Sequence, residues 1–191
     1  GSEKKTDEVL KTVYDVVSQL GFRTPKQKAG FRCMARQTIQ TKKAVKRFSD
    51  EELLTYRVCD DRAIEGCLKL LSRTAAIACS VGSVNDMVFI SMLMCYISLA
   101  KGFTKYSAIS FVAFGLVLTK MGDDKAGRRF GRLALEISDR FQAKECDGET
   151  VFIYYAFIHH TSKPMQELLD PLIESIQLAK AGGDIENSHH A

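Results

Sequence analysis

Apolar residues recur at intervals of three and four along most of the chain. Ile64, Leu68, Leu71, Ala75 and Ala78 keep that spacing between 61 and 80, and Ala126, Phe130, Leu133, Ala134 and Ile137 keep it between 124 and 141. Such a period gathers them on one face of an α-helix. No stretch alternates with period two over a useful length, so no sheet is expected. Breaks fall at "VGS" 81–83, "KGF" 101–103, "MGD" 121–123, "CDG" 146–148, "SKP" 162–164 and "GGD" 182–184. They lie about twenty residues apart, and a helix–helix connection needs only a few residues. The intervals therefore predict helices of about fifteen to eighteen residues, each antiparallel to its neighbours.

Local signals extend the pattern toward both ends. Ser49 and Glu52 have the spacing of a capping box ahead of a short helix. Gly21 and Pro25 end one helix, at roughly 7–20, and delay the next, at roughly 26–47. Asp170 before Pro171 resembles an N-cap with proline in the first turn. The chain is thus expected to be all-α, with nine or ten helices stacked as antiparallel hairpins.

Four glycines, at 115, 122, 127 and 131, interrupt a stretch that otherwise favours helix. A phosphate-binding loop would close on Gly-Lys-Ser/Thr, but these glycines are followed by Leu116, Asp123, Arg128 and Arg132. A dinucleotide fingerprint would need a preceding strand and G-x-G-x-x-G, and neither is present. Helix contact is the better role. Gly127 and Gly131 are four apart on one face that Ala134 continues, and Gly115 belongs to the helix before. Gly122 suits the left-handed end of that helix, with Asp123 or Asp124 capping the next. All five small residues, Gly115, Gly122, Gly127, Gly131 and Ala134, are expected where neighbouring helices meet.

The segment "FVAFGLVLTKMGDDKAGRRFGRLALEI" (111–137) resembles one tetratricopeptide unit. Phe111, Phe114, Gly115 and Leu118 match its first helix, Gly122-Asp123 its turn, and Gly127 and Ala134 the small positions of its second helix. Gly131 stands where that family prefers a large ring, Phe130 comes one residue early, and the closing proline is missing. The other hairpins run nearer forty residues than thirty-four. A more particular resemblance covers most of the chain. "GDDKAGRRFGRLALEISDRFQAKE" and "FIYYAFIHHTSKPMQELLDPLIESIQLAKAGGDIENSHHA" are similar to the helical region behind the AAA-type ATPase module of large multidomain signalling proteins. In those proteins a protein kinase-like domain precedes, and sensor and histidine-kinase or cyclase domains often follow. The resemblance implies a right-handed α-α superhelix within a longer protein. It confers none of the flanking activities on these 191 residues, in which neither kinase nor ATPase motifs occur. Gly1-Ser2 reads as a cloning scar and "IENSHHA" as the start of another helix. Residues 3–191 are therefore expected to form one tetratricopeptide-like domain cut from a larger chain.

Charge adds one unusual feature. Between Asp15 and Asp50 there is no acid, whereas Arg23, Lys26, Lys28, Arg32, Arg36, Lys42, Lys43, Lys46 and Arg47 are all basic. The net charge is only +4, so the remainder of the chain is acidic on balance. Were 28–47 one helix, Lys28, Arg32, Arg36, Lys43 and Arg47 would share a face, with Met34, Val45 and Phe48 roughly opposite. A solvated face is the plain interpretation. The functional one is a docking surface for an acidic protein segment or an adjacent domain. Nucleic acid or an anionic surface is the alternative occupant of 23–47, weakened by sparse aromatic partners (Phe22, Phe31 and Phe48) and the absence of tryptophan. A third possibility is small-molecule sensing in the Met- and Phe-rich hairpin at 87–121.

Other chemistry is not legible. The acids cluster at turns and first helical turns, where they suit caps. Pro164 lies five after His159, as in a phosphoacceptor box, but His160 replaces the acid and Thr161 the aliphatic residue. His159, His160, His189 and His190 lack metal-site spacing. The cysteines at 33, 59, 67, 79, 95 and 146 form no C-x-x-C pair and are expected as buried, reduced thiols of a cytoplasmic protein. The longest apolar run, 87–100, falls short of the roughly 20 residues that span a bilayer, so a buried helix is expected there. No enzyme, metal or cofactor is expected, and the partner is expected to be protein.

Overall fold

A computed structural model describes residues 2–159 together with Ile173 and Gln177. The chain is all-α there, with no β-strand among the described residues. It divides into two compact units, one of residues 1–48 and 57–102, the other of 49–56 and 103–191.

The first unit is built on α1 (Ser2–Gln19), α2 (Phe31–Val45), α4 (Arg62–Ser80) and α5 (Val84–Lys101). On α1, Leu10, Val13, Tyr14 and Val17 are buried, the three-and-one spacing of a single face, and α1 packs on α4. Helix α5 is apolar nearly all round, which marks a helix enclosed by neighbours. It contacts α4 and α2. It has 18 residues and a mean hydropathy of 1.3, and most of it is buried within the protein. Phe89, Ile90, Met92, Leu93, Met94, Cys95 and Ile97 are the buried part of that run. On its α2 side, Thr41 donates to the Met92 carbonyl at 2.9 Å.

The second unit holds α3 (Asp50–Leu54), α6 (Ser107–Lys120), α7 (Asp124–Phe141), α8 (Lys144–Ile153) and a π-helical turn, Tyr154–Ile158. Helix α6 is likewise apolar all round and touches α7, α8 and the π-helical turn. Phe103, Phe111, Phe114 and Phe130 form a chain of ring contacts at its centre. The expected capping box is complete at α3: Glu52 N–H donates to Ser49 Oγ, and Ser49 N–H to Glu52 Oε2. Two arginines of α7 hold this five-residue helix. Arg129 Nε donates to Asp50 Oδ1 at 2.6 Å, and Arg140 donates to the Leu54 and Tyr56 carbonyls, each at 2.8 Å.

The break at 81–83 and the one at 121–123 are built alike. Gly82 (φ +73°) and Gly122 (φ +88°) adopt the left-handed conformation one residue past the helix cap. The following N–H reaches back to the carbonyl five residues earlier, Ser83 to Ala78 at 2.8 Å and Asp123 to Leu118 at 2.9 Å. Asp123 then caps α7 by accepting from Ala126 N–H.

Apart from α1, which starts at Ser2 rather than about 7, two boundaries differ from expectation. The break predicted at 146–148 falls at Gln142-Ala143, and Gly148 is buried inside α8. Gln142 takes the left-handed cap (φ +47°) without glycine. Gln142→Gly should therefore stabilise the protein by about 0.5–1 kcal/mol, because the Cβ clash of a left-handed residue disappears. A raised urea midpoint checks this. The second difference is α2, which starts at Phe31 rather than 26. Ala29 is buried, its N–H is taken by Asp86 Oδ1 at 2.7 Å, and Gly30 is extended. The expected cap at Asp170-Pro171 and the breaks at 162–164 and 182–184 lie outside the described residues.

Candidate functional site

The glycine stretch is the first place to look for a ligand. Gly115, Gly127, Gly131 and Ala134 are all buried between helices of the second unit. A Cβ on Gly115 would lie 2.8 Å from the Gly127 carbonyl oxygen and 3.2 Å from the Gly131 nitrogen. One on Gly127 would strike Thr119 Oγ1, and one on Gly131 the ring of Tyr154. The space a methyl group would need is already filled, by backbone at Gly115, by Thr119 and the Gly115 carbonyl at Gly127, and by the Tyr154 ring at Gly131, so a phosphate has no seat against these three. Gly122, expected at the same helix contact, does not join them. It is exposed with nothing within 4 Å of its Cβ direction, and its role is the left-handed cap.

The basic region is the second. Arg32, Arg36 and Lys43 share the solvent face of α2 and all are exposed. Lys28 and Arg47 do not join them on a helical face: Lys28 precedes α2 and Arg47 follows it. Lys28 instead pairs with Asp7 at 3.0 Å. The opposite side of α2 is held down by buried Gln37, Thr41 and Val45. Two apolar side chains stand on the open side. Phe31, in the first turn, is 73% exposed, and Ile39 is 56% exposed. Ile39 follows Arg36 by three residues and precedes Lys43 by four, so it stands in the middle of the cations. Charge counting alone passed over Ile39. Its spacing from Arg36 and Lys43 was the available signal.

A third cluster is internal. Asp86 is buried in the first turn of α5 and accepts from Tyr14 Oη at 2.7 Å, Ala29 N–H at 2.7 Å and Ser83 Oγ at 2.6 Å. One carboxylate thereby joins α1, the chain before α2 and the start of α5. Burial first, then the Asp86 hydrogen bond and charge, push the Tyr14 phenol well above its ordinary value of 10.0. A proton held more tightly in the folded state adds stability below the unfolded value, and that contribution is lost as pH rises above it. The stability advantage of the native protein over Tyr14→Phe should thus be constant near neutrality and shrink above about pH 10. Urea unfolding of both proteins across that range measures it.

The remaining candidates are packing groups. Cys67, Cys95 and Cys146 are buried, and burial holds the Cys67 thiol up at about 11 and Cys95 higher still. Contrary to the expectation for all six, Cys79 is exposed, Cys33 and Cys59 are half-buried, and Cys59 lies in a loop. All six are free thiols. His159 sits against the rings of Tyr154 and Tyr155. His160, His189 and His190 lie outside the described residues. Among the described residues no three His, Cys, Asp or Glu side chains come together as a metal site. The Met and Phe side chains of 87–121 named above are consumed in packing. Compared with protein-family models, curated proteins and solved structures, the chain matches none.

Proposed function

We propose that this chain is a non-catalytic interaction module made of tetratricopeptide-like hairpins. The resemblance to the helical region behind the ATPase module of large signalling proteins suggests a right-handed α-α superhelix as its architecture. The like-built turns at Gly82 and Gly122, forty residues apart, support a repeated hairpin. A module of this kind works by presenting a helical surface to a partner segment or to an adjacent domain of its own chain.

The observation that carries the proposal is the solvent face of α2, where exposed Ile39 is ringed by Arg32, Arg36 and Lys43. An apolar centre within a charged, arginine-rich rim is the anatomy of a protein interface. A phosphate backbone would gain nothing from the isoleucine. A photo-crosslinking residue placed at position 39 of the intact protein tests this. A discrete protein adduct is expected, resistant to nuclease, competed by unlabelled protein and missing when the probe is moved to exposed Ala76. A nuclease-sensitive adduct, or none, would overturn the proposal.

A further inference from the structure

We infer that the occupant of the α2 face is an acidic amphipathic segment of about three helical turns, an inference that rests on the interaction function proposed above. From Phe31 to Lys43 is a rise of twelve residue steps, about 18 Å of helix, which sets that length. Charge complementarity sets the sign. No acid occurs from 16 to 49, and among the described residues Arg32, Arg36 and Lys43 have no carboxylate partner within the chain. The start of α2 points the same way. Its first turn contains no acid and its N-cap, Gly30, has no side chain to satisfy the free N–H groups, so Arg32 reinforces the positive end of the helix dipole.

The apolar residues set the amphipathic character. Phe31 and Ile39 lie about 12 Å apart along the helix, matching anchors about two turns apart on a partner helix. Carboxylates flanking those anchors would meet Arg32, Arg36 and Lys43. A membrane is a poorer fit, because α2 is seated on the protein through Gln37, Thr41 and Val45 and only two large apolar side chains, Phe31 and Ile39, project from it.

Fluorescence anisotropy of the whole chain with a labelled synthetic peptide tests the inference. The peptide is about sixteen residues long, with leucines at i, i+4, i+7 and i+11 and glutamates between. The comparators are a peptide of the same charge with serine for leucine, a single-stranded DNA of similar length, and vesicles containing phosphatidylserine. The leucine peptide should bind best. Ile39→Ser and Arg36→Glu should each weaken it about tenfold, and the serine peptide should lose a similar factor. Both substituted residues are exposed, so circular dichroism should show both variants folded. Equal binding of the two peptides, preference for DNA or vesicles, or indifference to Ile39→Ser would overturn the acidic-segment inference. If no peptide binds while the adduct at position 39 persists, the occupant is another kind of protein and the interaction function survives. If the adduct is also missing, both fall.

Discussion

Asp86→Ala is expected to destabilise the first unit by about 3–4 kcal/mol, seen as a lower urea midpoint by circular dichroism. Its carboxylate accepts three hydrogen bonds, two of them from the buried groups Tyr14 Oη and Ala29 N–H. Each buried donor left without a partner costs about 1–3 kcal/mol. Ser83 is half-buried and recovers a bond to water, so it adds little. Relief of the cost of burying the carboxylate offsets part of the loss. Asp86→Asn keeps an acceptor but drops the charge, and should cost about half as much. A loss below about 1 kcal/mol for Asp86→Ala would mean that water replaces the carboxylate.

Gly115→Leu should be at least as damaging to the second unit, by about 3 kcal/mol or more. Even a methyl group at this position meets the Gly127 carbonyl at 2.8 Å, and that atom is backbone and cannot swing away. Overpacking of this kind costs about 1–3 kcal/mol for small insertions and more for large ones. Gly115→Ala should also destabilise, although alanine favours helix by about 1 kcal/mol. Gly66→Ala is the matched control. Gly66 lies inside α4, exposed, with nothing within 4 Å of the added atom. It should stabilise by about 0.5–1 kcal/mol. Opposite signs at the two glycines would separate packing from propensity; equal stabilisation would remove the close approach.

The starts of α4 and α7 and the ends of α4 and α6 were legible because they carry their own chemistry. Glycine past the cap and Asp61 or Asp123 at the next start mark boundaries that depend only on neighbours in the chain. The start of α2 was not legible, because what keeps 26–30 out of helix is the bond from Ala29 to Asp86, 57 residues away. Gly148 misled for a related reason. A glycine signals a break only when the chain needs its conformation, and Gln142 had already supplied the turn. In the candidate surface the cations could be read directly. The place of Ile39 among them follows from its spacing, but the openness of Phe31 could not be read, because its exposure follows from which side of α2 the rest of the unit covers. The small residues at 115, 127, 131 and 134 were read as packing from spacing alone, and the backbone approach at Gly115 gives that spacing its cause.

The salt dependence of the acidic peptide complex is the most direct check that α2 docks a protein segment through an apolar centre. Between about 50 and 200 mM salt its affinity should fall by less than about tenfold, and the penalty of Ile39→Ser should persist at the higher salt. A loss of about a thousandfold over that range, with Ile39→Ser indistinguishable from the native protein, would contradict it and leave only a charged surface.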